Sequence, residues 1–387
     1  MAQIITTQDF LLYKQRNLPI YLKINLLNSN RKIIDSIEGV VTSCSIQIDA
    51  NSAIRRTANI SFYIKDNTYI ANPNSRIWID KLAKLYVGYL YFKTNEIIWY
   101  DLGLYTFSDT NFSYDASSKF GSVSCVDLMA TLNGDKGGKI NAGSIVIPAN
   151  SVIRDAIISI ITQNGGVSQY YVESVPDNTP YDLSFPNGST VYDITSKIQN
   201  LYPSYQQYFD VEGTYIYESI PSCESDPCFV DYHFFEGLVV SEQCTINLNE
   251  VKNVVTVWGS NGLNATWKDK NPDSPYYIGT IGEHEEVLCG GDFDNITTQE
   301  QCDERAAYEG WLRTRLNDGY NIEMLAVPWM DVNKKITYKS LMTNEISFYI
   351  TKNISMDIMS GLMSMNIIKF YPMYPDILQT AFIEHLY

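Results

Sequence analysis

The first residues with a possible chemistry are acids. The stretch 193–221 reads DITSKIQNLYPSYQQYFDVEGTYIYESIP and holds Asp193, Asp210 and Glu212, residue types that in pairs perform general acid/base catalysis or bind cations. The same DVEG has the chemistry of a tight turn. An Asp at its first position accepts hydrogen bonds from the backbone N–H groups that follow, and Gly213 supplies a positive φ at its end. The turn reading is preferred, because strand-like stretches flank DVEG on both sides.

Other candidates have weaker spacing. Cys223, Cys228, His233 and Cys244 are the one cluster with zinc-ligand types, but they follow C-x4-C-x4-H-x10-C and lack the tight C-x2-C knuckle. His284-Glu285-Glu286 is not H-E-x-x-H, since position 288 is Leu. NGDKGGKI resembles a phosphate loop, yet Asn133 stands where the first Gly belongs and Ile140 replaces Ser/Thr. Asn59-Ile60-Ser61 is a glycosylation sequon that matters only in a secreted protein. No G-x-S-x-G or G-x-G-x-x-G occurs. No catalytic, cofactor-binding or metal-binding residue is therefore assigned, although 44 Asp and Glu leave room for a carboxylate pair that carries no motif.

The elements that must position these residues show in the periodicity. Ile20, Leu22, Ile24 and Leu26 alternate with polar or aromatic neighbours, as do Cys44, Ile46 and Ile48, and then Ala58, Ile60, Phe62 and Ile64. KLYVGYLYF, IIWYDLGLYTF and KFGSVSCVDL are further strands, so the first third predicts an antiparallel barrel or sandwich. In NSVIRDAIISIITQNGG the period becomes helical: Ile153, Ile157, Ile160 and Ile161 share a face, Asn150 or Ser151 caps it, and Gly165 and Gly166 end it. Ile194, Ile198 and Leu201 line a second helix, followed by a hairpin whose strands flank DVEG. Strands return in CTINLNEVKNVVTVWGS. A Thr297-x-x-Glu300 capping box then opens a helix with Tyr308, Trp311 and Leu312 on one face, before strands in IEMLAVPW, KKITYKSL and NEISFYIT.

The 387 residues suffice for two or three domains with a sizeable core. With 45% hydrophobic residues, 29 Tyr and 19% charged residues, the composition fits ordered, strand-rich domains. Seven cysteines, an odd number, predict reduced thiols rather than a disulfide framework. A net charge of −16 without a basic cluster argues against wrapping duplex DNA and favours protein partners. No apolar run is long enough to span a bilayer, and MAQIITTQDFLLYKQRNLPI lacks a signal-peptide core, so assembly in a host cytoplasm without stable membrane insertion is expected.

Several segments, in order, resemble the tail hub (baseplate hub) proteins of tailed bacteriophages and related contractile injection systems. They are GVVTSCSIQIDANSAIRRTANISFYIKD and WYDLGLYTFSDTNFSYDASSKFGSVSCVDLMATLN, then VYDITSKIQNLYPSYQQYFDVEGTYIYESIP, then VKNVVTVWGS, NPDSPYYIGTIGE and ITTQEQCDERAAYEGWLR. The resemblance spans roughly residues 20–350 and rests on order and spacing. It implies a mainly β fold with α+β inserts, made of two tail-tube-like antiparallel barrels and a helix-hairpin segment. The expected division is 1–145 for the first barrel, 146–240 for the helix-and-hairpin domain and 241–350 for the second barrel with a helix insert; residues 351–387 depart from the family pattern and have no assigned role, a helix and strand that could contact a neighbour through Met363, Tyr371 and Tyr374 being one reading and core packing of most of these side chains the preferred one.

The family brings no catalytic motif. What it implies is a virion protein: a homotrimeric ring joining tail tube to tail tip and offering a DNA channel. Its expected partners are tail-tube and distal-tail proteins, a tape measure protein, spike or fibre proteins, and phage DNA in passage without sequence-specific binding. Two other readings compete. A receptor-binding, fibre-like adhesin would also be aromatic and β-rich, but shows sequence repeats that are missing here. A cell-wall hydrolase would need a carboxylate pair.

Overall fold

The computed structural model describes residues 7–15, 17–64, 66–115, 118–141, 143–202, 204–245, 251–314, 319–371 and 382–384. It contains two compact units. One comprises Met1–Pro221, Pro227–Glu242 and Asn321–Ile367; the other comprises Ser222–Asp226, Gln243–Tyr320 and Ile368–Tyr387.

In the first unit a short helix, α1 (Thr7–Tyr13), precedes β1 (Ile20–Leu27), β2 (Ile33–Glu38), β3 (Val41–Asp49), β4 (Arg56–Tyr63), β5 (Leu82–Tyr91), β6 (Glu96–Tyr114) and β7 (Lys119–Asp127). Their patterning is as expected: Ala58, Ile60 and Phe62 of β4 and Cys44, Ile46 and Ile48 of β3 are all buried. Strand β5 lies between β1 and β6 and is buried on both faces, so its sequence LAKLYVGYLY does not alternate. Its single charge, Lys84, is itself buried. After β7 the Asp127 side chain accepts from Met129 N at 2.8 Å and opens a 3-10 turn.

The next segment is an α+β insert. It holds β8 (Ile145–Ile147), α2 (Ile153–Gln163), β9 (Tyr170–Val172), β10 (Leu183–Phe185), α3 (Val191–Leu201), β11 (Tyr205–Phe209) and β12 (Tyr215–Ser219). The expected isoleucine faces form its core: Ile153, Ile157, Ile161, Ile194 and Ile198 are fully buried. The cap of α2 differs from expectation. Its N-cap is Val152, with no side-chain bond, because the Ser151 hydroxyl donates to Pro148 O at 2.7 Å instead.

A short helix α4 (Tyr232–Phe235) leads to β13 (Val239–Thr245), and the chain then builds the second unit. There β14 (Val254–Trp258), β15 (Asn264–Lys268) and β16 (Glu285–Leu288) are joined by α5 (Ile278–Ile281) and followed by α6 (Gln299–Arg313). Helix α6 is capped one residue later than predicted, by Thr298, while the Thr297 N–H donates to the Gln301 side chain. Its buried face is Cys302, Ala306, Ala307 and Gly310, not Tyr308, Trp311 and Leu312; Leu312 is exposed. Small residues are required there because the Trp267 ring lies so close that a Cβ on Gly310 would stand 2.2 Å from it.

The chain returns with β17 (Gly319–Leu325), β18 (Lys335–Lys339), β19 (Ile346–Asp357) and β20 (Leu362–Lys369), and β21 (Phe382–Glu384) completes the order β16-β14-β15-β21 in the second unit. The main sheet runs β13-β17-β20-β19-β3-β4-β7-β6-β5-β1-β2, with β18 also on β19. Strands far apart in sequence meet where β19 pairs antiparallel with β3, from Asn353↔Asp49 to Asp357↔Ser45. The two units therefore cut across the four consecutive segments expected. Residues 351–369, read as a helix and strand, instead form the end of β19 and all of β20, turning at Gly361 with φ +69°. Met363 is a core residue; Tyr374 lies outside the described residues. Among the described residues no helix is long and apolar enough to cross a membrane.

Candidate functional site

The DVEG turn is built by Asp210. Its backbone N–H donates to Thr214 O at 3.0 Å, and its carboxylate accepts from Glu212 N and Thr214 N at 2.9 Å each. Gly213 closes the turn with φ +78°. Asp193 is equally structural: it is the N3 residue of a capping box on α3, its carboxylate accepting from Thr190 N while Asp193 N donates to the Thr190 hydroxyl.

The turn is also an anchor. It docks onto the main sheet, where Lys84 of β5 donates to Val211 O at 2.8 Å and pairs with Glu212 at 3.0 Å and Asp101 of β6 at 3.2 Å. Arg31, from the β1–β2 turn, donates to Gly213 O at 2.9 Å. Burial, and then a hydrogen bond with Glu212, push the Asp101 carboxyl up to about 6; that same bond, with Lys84 beside it, holds Glu212 below its ordinary value. As the pH falls through about 6 the pair takes up its first proton, which resides on Asp101, while Glu212 stays ionised to lower pH.

Alongside lies a cavity of about 530 Å³ that Asp101, Asp210 and Val211 help to line. Its polar wall is a network tying β4, the β11–β12 hairpin and the 331–334 loop together. The Arg56 guanidinium pairs with Asp331 at 2.6 Å and donates to Phe209 O at 2.9 Å, while Arg56 N donates to Asp127 at 2.8 Å. Arg55 donates to Gln206 at 2.7 Å and stacks 3.9 Å from the Tyr208 ring centroid. Tyr208 donates to Glu218 at 2.9 Å, and Lys334 reaches the same carboxylate at 3.4 Å. Burial would raise the Asp331 carboxyl, but Arg56, Arg55 and Lys334 outweigh it and hold it low. Both arginines are buried, and each needs the carboxylates and carbonyls around it to remain charged there.

The remaining sequence candidates are placed as follows. His284 uses its backbone, with His284 N donating to the Asn253 side chain at 2.7 Å, and Glu286 pairs with Arg313 at 2.9 Å. In the 133–140 loop Lys136 reaches the Thr106 hydroxyl at 2.8 Å, and Gly138 sits against the backbone of Leu132 with no room for a Cβ. Cys228 and His233 belong to the first unit, Cys223 and Cys244 to the second. Among the described residues no three side chains of metal-binding type gather at one point.

Sequence reasoning missed Arg31, Arg56 and Lys84. The signal was available: a lysine inside an otherwise apolar strand and an Arg-Arg pair entering another both require partners once buried.

No curated protein matches the sequence. Residues 273–374 match the model of a domain of unknown function, DUF5048. Among solved structures, the chain is similar to a 43 kDa tail protein of prophage MuSo2 from Shewanella oneidensis, with TM-score 0.65 and 13% identity over 90% of this chain and 98% of that one. It is similar to a tail protein from Neisseria meningitidis, with TM-score 0.63 and 11% identity over 92% and 98%. It is also similar to a prophage tail protein from Listeria monocytogenes, with TM-score 0.54 and 8% identity over 89% and 94%. At such identities the likeness is one of fold, and it extends end to end: this chain has the fold of these tail proteins.

Proposed function

We propose that the chain is a structural component of a bacteriophage tail, the hub that joins tail tube to tail tip, assembled as a ring-shaped homotrimer around a passage for the genome. The observation that carries this reading is the likeness of fold to a prophage tail protein over 90% of this chain and 98% of that one.

Physical features support it. Among the described residues the main sheet ends at β2 and β13, each paired with a described strand on one side only. Ile33 and Ile34 are exposed on β2, and Val240 on β13. On β13, the Glu242 carboxylate accepts from the Tyr338 and Ser340 hydroxyls and from Leu341 N and Met342 N at 2.6–3.2 Å, fixing a turn that presents Leu341 and Met342 to solvent. Two unlike edges on one chain suit head-to-tail association, which closes into a ring. Strands β1–β7 would supply one tube-like barrel, and β13 with β17–β20 the other, so that three copies offer six similar surfaces to a tube ring. Tape measure, distal-tail and tip proteins would be the neighbours.

At −16 per chain the passage would repel phosphate, so that DNA slides through it. Engagement of Asp101, Glu212, Glu218 and Asp331 with basic partners supports a non-enzymatic role. Immunogold electron microscopy of phage particles, with antibody against this chain, tests the reading. Label at the tail end distal to the head is expected; label on the capsid, or none on purified particles, would overturn it.

A further inference from the structure

The main sheet has a further open edge, inside its strand order rather than at its ends. Strand β6 is 19 residues long, and β7 accompanies it from Tyr105↔Asp127 to Tyr114↔Lys119. Strand β5 does not. It begins at Leu82, opposite Thr106, so Ser108–Tyr114 is paired on the β7 side and, among the described strands, on no other. A bulge between Phe107 and Asp109 marks the departure, and Lys136 Nζ donates to Phe107 O just past the last β5 pair. At roughly 3.3 Å per residue the open stretch then runs for about 23 Å. Solvent-facing edges are commonly blunted by Pro, by Lys, by shortness or by a bulge. SDTNFSY contains neither Pro nor Lys, is as long as an ordinary strand, and keeps an unbroken register with β7 from Asp109 onward.

We propose that this edge takes up an extended segment of another tail protein as an added strand, with apolar side chains on the Phe112 and Tyr114 side and polar ones on the Asn111 and Ser113 side. Backbone N–H and C=O groups held in line in strand geometry are a template for one kind of occupant, a second strand. The pattern of that strand follows from the two faces of β6. On one, Phe112 lies over Gly121, whose Cβ would stand 3.1 Å from its ring, and Tyr114 is 73% exposed. Aromatic or β-branched neighbours are favoured there. On the other, Asp109, Asn111 and Ser113 are all exposed, so the neighbours are polar, and a second acid beside Asp109 is disfavoured. The segment belongs to a chain of another kind, because the proposed ring, on which this last point rests, already pairs β2 with β13.

Cryo-electron microscopy of assembled tails, with hydrogen exchange of the chain alone and within those tails, tests this. A strand of another protein is expected about 4.8 Å from β6 along Ser108–Tyr114, with exchange there slowed at least about ten-fold on assembly. Thr110→Lys combined with Tyr114→Lys alters two exposed side chains and blunts the edge; it should lower incorporation of the neighbouring protein about ten-fold while the chain itself still folds. If that variant does not fold, the wild-type tails decide. A chain present in tails with this edge in solvent, covered by side chains alone, or paired with another copy of itself would overturn the inference and leave the tail reading standing. Unchanged incorporation in a folded variant would do the same, whereas tails lacking the chain would overturn both.

Discussion

Replacing Asp101 with Asn should alter how the first unit responds to pH, and the sign follows from the proton on Asp101. Asp101 rises from an ordinary 3.8 to about 6 because folding buries it against Glu212. A group raised in this way contributes stability that is fully present below pH 3.8 and is lost as the pH climbs through about 6. Glu212 is held below 4.5, so its contribution is present above 4.5 and lost as the pH falls through its lowered value. The DVEG hairpin should therefore be anchored most firmly near pH 4.5 and less firmly at neutral pH.

The change from 3.8 to about 6 corresponds to at most roughly 3 kcal/mol. The Asp101 side chain is 27% exposed, and solvent screening reduces this to about 1–2 kcal/mol. In Asp101→Asn the amide can still donate to Glu212 but cannot ionise, with Lys84, Arg31 and Tyr86 facing the pair unchanged. The variant should be about 1–2 kcal/mol more stable than wild type near pH 7.5 and lose that advantage near pH 4.5. Hydrogen exchange of amides 205–219, corrected for intrinsic rates, reads this locally. Parallel pH profiles for the two proteins, or a less stable variant near neutral pH, would refute this assignment of the proton.

Three further outcomes are expected. Asp331→Asn leaves the buried Arg56 charge without its carboxylate and should cost about 3–5 kcal/mol in urea unfolding. Gly213→Ala must hold φ +78° and place a Cβ 2.6 Å from Leu104, for a loss of roughly 1–3 kcal/mol and faster exchange across the hairpin. Glu242→Ala releases the turn that carries Leu341 and Met342; amides 338–342 should lose protection by about 1–3 kcal/mol, and self-association measured by sedimentation should weaken.

What the sequence made legible was whatever depends on local period. The alternation in β3 and β4 and the isoleucine faces of α2 and α3 are buried as read, because one buried face of a strand or helix writes itself directly into residue order. DVEG was legible as a turn for the same reason: its hydrogen bonds are local. That the turn is also an anchor was not, because Lys84, Asp101 and Arg31 lie more than a hundred residues away and meet it only in the folded chain. The pairing of β19 with β3 was hidden for the same cause, and it is why residues 351–369 looked unlike anything while being plain sheet. Which face of α6 is buried was not legible, because it is set by Trp267 from β15, which demands small residues opposite it. The caps slipped by a residue or two, the usual scale for helix ends.

The central claim, that this fold serves as the threefold junction of a tail, is tested most directly by cryo-electron microscopy of assembled tails. The account predicts three copies of this chain in a ring, with β2 of one copy meeting β13 of the next and acidic side chains along the bore. Six copies, a monomer with both sheet edges in solvent, or a continuous Lys/Arg ring lining the passage would contradict it.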